Sequence, residues 1–217
     1  MDRDLDLEHA ALFGCAVLTG MGAVVNTAGL RPGQTVAVVG LGGVGLSAVL
    51  AAVAGGAGEI IALDVNDQKL EMAKSMGATR IFNSRSPDHV AEVRELTRGG
   101  VDISVETAGV IPALETAVDV TRRGGQTVTA SLANPEARLA LVPVKMVVEE
   151  RMLRGSFLGG GVPSRDILRY IKLFQQGRLP VDRLLTSSGP LDEINAAFDM
   201  LDRGETIRHV IKMSGTA

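Results

Sequence analysis

The chain has 217 residues, 46% hydrophobic and 22% charged, with a formal net charge of −3. That is the composition of an ordinary globular protein long enough to bury a sizeable core. It contains no tryptophan and one tyrosine, and no basic stripe runs through it, which argues against nucleic acid as a partner. A single cysteine, Cys15, excludes an intrachain disulfide framework and suits a reducing, cytoplasmic setting. The acidic start MDRDLDLEHA lacks the basic and apolar regions of a signal peptide.

Residues 5–30 form a helix-like lead-in. After it, strand and helix alternate. TVAVVG (35–40) is a β-branched run and predicts a buried strand, followed by a helix over 43–54. EIIALD (59–64) predicts a second strand, and DQKLEMAKSMG a helix stopped by Gly77. RIFN (80–83) is a third strand; the next helix takes Ser86 as N-cap and Pro87 as its first residue, and ends at Gly99. VDISVE (101–106) is a fourth strand, IPALETAVDVTRRGG a helix, QTVTAS (126–131) a fifth strand and RMLRGSFL (151–158) a sixth. Apolar strands with helices between them mean βαβ units and a parallel sheet covered on both faces. The predicted fold is α/β, a doubly wound six-stranded parallel sheet of the Rossmann type. Beyond LGGG (158–161), Pro163 and Ser164 open a helix; VDRLLT, the helix LDEINAAFDMLDRG and a short strand, RHVIKM, follow. That last strand has no evident partner in the sheet.

The segment from Val36 to Gly58 is uncharged and holds GLGGVGLS. A membrane span, a slack buried loop and a phosphate-cradling turn all fit its glycines. Its length suffices for a span. However, no Trp or Tyr flanks it, and it divides into a strand-like half and a helical half. Gly40, Gly42 and Gly45 satisfy G-x-G-x-x-G between a strand and a helix, and Asp64 follows Gly45 by 19 positions. In that motif Gly40 allows the tight turn, Gly42 the approach of a pyrophosphate, and Gly45 the close packing of helix on strand. Leu41, Gly43 and Val44 complete the turn, whose free N–H groups face phosphates. No Gly-Lys-Ser/Thr is present, which excludes a Walker P-loop. A carboxylate at Asp64 accepts from ribose hydroxyls and repels a 2′-phosphate, favouring NAD over NADP. Lys69 is placed to reach the same ribose, or is a solvated helix lysine. A doubly wound fold binding another nucleotide, such as a methyl donor, is the alternative reading of the turn. Cys15, read alone, is a packed core thiol.

The stretch LFGCAVLTGMGAVVNTAGLRPGQTVAVVGLGGVGLSAVLAAVAGGAGEIIALDVNDQKLEMAKSMGAT, with VETAG, GSFLGG and GETIRHVI, resembles the medium-chain, zinc-dependent alcohol dehydrogenases. It is most similar to their NAD-linked branch, which includes glutathione-dependent formaldehyde dehydrogenases. The resemblance implies hydride transfer between an alcohol or aldehyde and NAD. It implies that Cys15 is one protein ligand of a catalytic zinc, which acts as a Lewis acid on the alcohol oxygen. It places Thr19 and Val44 beside the nicotinamide, and Thr107 and Ala108 along the adenosine ribose. It places backbone of Ala130 to Leu132 and of Leu158 at the carboxamide, and Arg208 at the pyrophosphate. On its own, Arg208 reads as a surface arginine. A homodimer is implied through a sheet edge near 137–143, which EARLALVP would supply. The zinc-free quinone reductases of the same superfamily fit less well, because they lack the cysteine and usually prefer NADP.

These 217 residues depart from the family in one large respect. The domain that brings the other zinc ligands and the proton relay is not among them, and His9, His89 and His209 make no metal-ligand spacing with Cys15. The expected division is a lead-in over 1–30, an NAD-binding unit over 31–158, and a segment over 159–217 that packs on that other domain. Two functions follow: the cofactor part of an NAD-dependent zinc alcohol dehydrogenase, or a non-catalytic NAD-binding module.

Overall fold

In the computed structural model, which describes residues 5–213, the alternating segment forms one sheet. Its strands are β1 (Thr35–Val39), β2 (Glu59–Asp64), β3 (Arg80–Asn83), β4 (Val101–Glu106), β5 (Thr121–Thr129) and β6 (Met152–Gly155). They lie in the order β3-β2-β1-β4-β5-β6, and every pairing is parallel. The chain builds outward from β1 to β3, then returns to place β4 on the other side of β1. That reversal opens a crevice at the carboxyl ends of β1 and β4, where ligands of doubly wound sheets bind.

Residue type explains the layering. Val36 and Val38 point to one face with Leu46, Val49 and Leu50 of α3 (Gly43–Ala54) and Leu70 and Ala73 of α4 (Asp67–Ser75). Ala37 and Val39 point to the other, where they join Val93 of α5 (His89–Leu96) and Ala117 and Val120 of α6 (Ile111–Val120). Because α3 is buried from Gly45 through Ala52, a charge anywhere along it would lose its water. The uncharged run is therefore a strand, a turn and a core helix. Each fully buried valine or leucine contributes roughly 1.5–3 kcal/mol relative to exposure.

The lead-in is a single helical stretch, Leu7–Thr27, made of α1 (Leu7–Leu12), α2 (Leu18–Gly22) and the π-helical turns Phe13–Val17 and Ala23–Thr27. Among the described residues this stretch is long and apolar enough to cross a membrane, yet 67% of its most apolar window is buried inside the protein. Its apolarity serves the core. A Cβ at Gly20 would overlap the Val44 carbonyl, so α2 touches α3 backbone to backbone.

Four expectations are corrected. First, α5 begins at His89, with Asp88 rather than Ser86 at its N-cap; the Ser86 carbonyl accepts from the His89 ring instead. Second, α6 stops at Val120, because Thr121 starts β5 and commits its hydroxyl to Ser104, Thr127 and the Ala117 carbonyl. Third, residues 137–142 form no strand. Asn134 folds a turn against the Glu136 N–H, Pro143 opens the short helix α7 (Pro143–Val148), and the sheet ends on β6. Fourth, RHVIKM does have a partner. Its residues in β8 (His209–Lys212) pair in parallel with β7 (Ser187–Pro190), a Ser-Ser-Gly-Pro strand whose composition hides it. The helix α8 (Pro163–Gln175) precedes β7, and α9 (Ile194–Asp202) lies between β7 and β8.

Candidate cofactor cleft

The chain reverses between Val39 and Gly43 in three residues. Gly40 takes φ +90°, and a Cβ there would lie 2.8 Å from Ala108; this is a conformation and a contact that glycine permits. A Cβ at Gly42 would meet nothing within 4 Å, so that position faces open space. A Cβ at Gly45 would overlap the Gly40 carbonyl oxygen. The third glycine thus sets the helix against the strand end, as the motif requires. The Thr107 hydroxyl fixes the same point by donating to the Gly40 oxygen at 2.6 Å.

No side chain caps α3. Its first N–H groups therefore remain available to an anion. Arg208 arrives here from the far end of the sequence, and its side chain crosses Gly43 so closely that a Cβ there would overlap Nε. That Nε is buried and finds no partner among the described residues. A buried guanidinium donor without an acceptor, beside an uncapped helix N-terminus, fits a phosphate group.

Asp64 ends β2 with both oxygens engaged. Oδ2 accepts from the Leu41 N–H at 2.6 Å, and Oδ1 accepts from the Asn66 N–H at 2.9 Å. Each oxygen keeps a further acceptor site for a hydroxyl. Asp64, Lys69, Gly40, Leu41, Gly42 and Thr107 line one cavity of about 450 Å³. On the opposite side of the crevice, Glu106 is buried at the end of β4. It accepts from the N–H groups of Ala108 and Gly109 through Oε1 and from the hydroxyls of Thr129 and Ser131 through Oε2, at 2.6–2.7 Å. One carboxylate thereby shapes the loops after both β4 and β5. Sequence reasoning passed over Glu106, although a charged residue closing an apolar strand is the same signal that drew attention to Asp64. It also did not place Ser84, His89 and Thr116 at the cavity, which they line from the turn after β3, from α5 and from α6.

The remaining expected positions lie around this cavity rather than in it. Val44 is half-buried at the start of α3. Ala130 follows β5 and donates its N–H to the Glu106 carbonyl at 2.9 Å. Thr19 is buried on α2. Gly159 packs on the Leu18 carbonyl, which brings Leu158 beside the segment carrying Thr19.

Cys15 is exposed, in the π-helical turn Phe13–Val17, and so is not a packed core thiol. It lines a second cavity of about 220 Å³ with Arg208 and His209. The fold brings His209 to the cysteine's pocket, which their spacing did not reveal. Among the described residues no three His, Cys, Asp or Glu side chains gather so as to hold a metal. A catalytic zinc takes three protein ligands, so these residues do not fit a complete zinc site.

Comparison with known proteins gives one consistent result. Residues 43–176 match the family model described as zinc-binding dehydrogenase. The chain is 36% identical over 214 residues to alcohol dehydrogenase class-2 isozyme 2 of Oryctolagus cuniculus, covering 97% of this chain and 56% of that protein. It is 38% identical over 208 residues to the S-(hydroxymethyl)glutathione dehydrogenase of Synechocystis sp., covering 94% and 56%. Among solved structures, the benzyl alcohol dehydrogenase of Acinetobacter calcoaceticus superposes with a TM-score of 0.95 at 33% identity, over 99% of this chain and 59% of that one. The chain thus spans a little over half the length of the relatives it matches.

Proposed function

The chain belongs to the zinc-binding dehydrogenase family, and from that premise we propose that it is the cofactor-binding part of an NAD-dependent zinc alcohol dehydrogenase. The observation that carries this reading is the convergence of an uncapped α3, the unpaired Arg208 Nε above it and the Asp64 carboxylate beside it. In this reading the α3 N–H groups and Arg208 hold the pyrophosphate, while Asp64 and Lys69 hold the adenosine ribose. Thr107 and Ala108 border that ribose. Thr19, Val44, Ala130 and Leu158 border the nicotinamide end. NAD supplies the hydride acceptor when bound. The chain's part is to orient the dinucleotide and, through Asp64, to disfavour a 2′-phosphate.

Zinc belongs to the proposal through the family and through Cys15, which would supply one ligand; no chemical step is derived through it. The substrate class is a small alcohol or aldehyde, the setting cytoplasmic and the division 1–30, 31–158 and 159–217. A homodimer is included as well. The exposed Val144, Val147 and Val148 of α7 and Met152 of the edge strand β6 support an interface there better than a strand over 137–143. A non-catalytic module is disfavoured, because the relatives that match nearly the whole chain are named as dehydrogenases. A fluorescence titration with NADH tests the reading. Saturable binding at one site per chain is expected, and a folded sample that leaves NADH fluorescence unchanged would overturn it.

A further inference from the structure

The cavity beside Asp64 has walls of two kinds. Val65, Val110, Pro112 and Ala113 are apolar, whereas Ser84, His89 and Thr116 bring polar groups to it. Ser84 follows β3 directly, and its N–H donates to the Asp64 carbonyl at 2.9 Å, which ties it to the strand end that carries the ribose-reading carboxylate. Its Oγ is buried and has no hydrogen-bond partner among the described residues. A buried hydroxyl without a partner is costly, so its retention beside a ligand-sized cavity calls for an explanation.

The imidazole cannot relieve it. His89 Nδ1 lies 2.6 Å from the Ser86 carbonyl oxygen, and Nε2 lies 3.1 Å from Thr116 Oγ1. A carbonyl only accepts, so Nδ1 carries a proton, while Nε2 pairs with the Thr116 hydroxyl. Both ring nitrogens are thereby committed, and the buried Ser84 Oγ keeps no partner among the described residues. Apolar walls suit the faces of a flat heterocycle, and a free hydroxyl suits its nitrogen-bearing rim.

We propose that Ser84 is a base-specificity determinant of this site, hydrogen-bonding a ring or exocyclic nitrogen of the cofactor's adenine. The proposal rests on the reading that Asp64 holds the adenosine ribose. It makes opposite predictions for stability and for affinity. Because Ser84 Oγ has no protein partner to lose, Ser84→Ala leaves the melting temperature of the ligand-free protein unchanged or raised. The same change weakens NAD and ADP-ribose by about three- to tenfold, the range of one net hydrogen bond. It leaves nicotinamide mononucleotide, which has no adenine, unaffected.

The experiment is calorimetric titration of wild type, Ser84→Ala and Ser84→Cys with these three ligands, with a thermal melt of each protein. The selective loss on the adenine ligands, with no loss of stability, supports the proposal. If the variants bind NAD as tightly as wild type, or lose stability and all three affinities together, Ser84 does not read the base although the cofactor assignment stands. If wild type itself binds neither NAD nor ADP-ribose, the assignment fails and the proposal with it.

Discussion

The cavity at the glycine turn and the cavity at Cys15 differ in how far the described residues complete each of them. Around the glycine turn every element arrives with its support. Asp64 is held by Leu41 and Asn66, Thr107 braces Gly40, and Glu106 gathers the loops after β4 and β5. At Cys15 a thiol stands exposed beside one histidine and one arginine, with no third metal-ligating side chain grouped there among the described residues. The first region has its polar groups held in place within the described residues, whereas the second supplies only part of a metal-ligand set. On the proposed reading, cofactor binding and zinc chemistry therefore draw on separate regions.

Breaking the completed region gives the largest effect. In Gly45→Val the new side chain must displace the Gly40 carbonyl, which begins the turn directly after β1. The variant is expected to lose about 3 kcal/mol of stability in urea denaturation and all measurable NADH binding. Wild-type binding in a stable Gly45→Val protein would show that the turn is not the seat of the cofactor.

A smaller effect is expected at α8, which packs against the helical stretch that carries Cys15. The Arg165 guanidinium, hydrogen-bonded to Asp166 at 2.7–2.8 Å, holds that buried carboxyl down to about 2, with the Val162 N–H also donating to it. The unfolded chain titrates near 3.9. The folded value is the lower one, so the stabilisation is fully present above about pH 4 and is lost as pH falls through about 2. Urea midpoints of wild type and Asp166→Asn should converge between pH 5 and pH 2. A gap constant across that range would contradict the assignment.

The smallest effect is expected at the open corner. Cys15→Ala removes an exposed thiol with no core packing to lose, so stability should change by less than about 0.5 kcal/mol and NADH affinity should stay as in wild type. A large loss of either would mean that Cys15 belongs to the completed region.

The same contrast governs what the sequence could show. The turn was legible because each glycine answers a local demand, and because strand, turn and helix are contiguous. The doubly wound sheet was legible from runs such as TVAVV and EIIALD, whose residue types suit burial on both faces. By contrast, β7 was not legible, since Ser187–Pro190 forms a strand only through its pairing with β8. The pairing of Cys15 with His209 in one pocket and the passage of Arg208 over Gly43 depend on the chain's return across the fold, which no local pattern records. Ser84 and His89 sit in a loop and at a helix start, and only the fold brings both to one cavity.

The central claim is that Asp64 reads an unphosphorylated adenosine ribose. It is tested most directly by titrating wild type and Asp64→Ser with ADP-ribose and with its 2′-phosphorylated counterpart. The account predicts that wild type prefers the unphosphorylated ligand by at least about tenfold, as expected from charge repulsion and lost hydrogen bonds at one carboxylate, and that Asp64→Ser loses most of this preference. Equal affinities in wild type, or a preference that survives in Asp64→Ser, would contradict it.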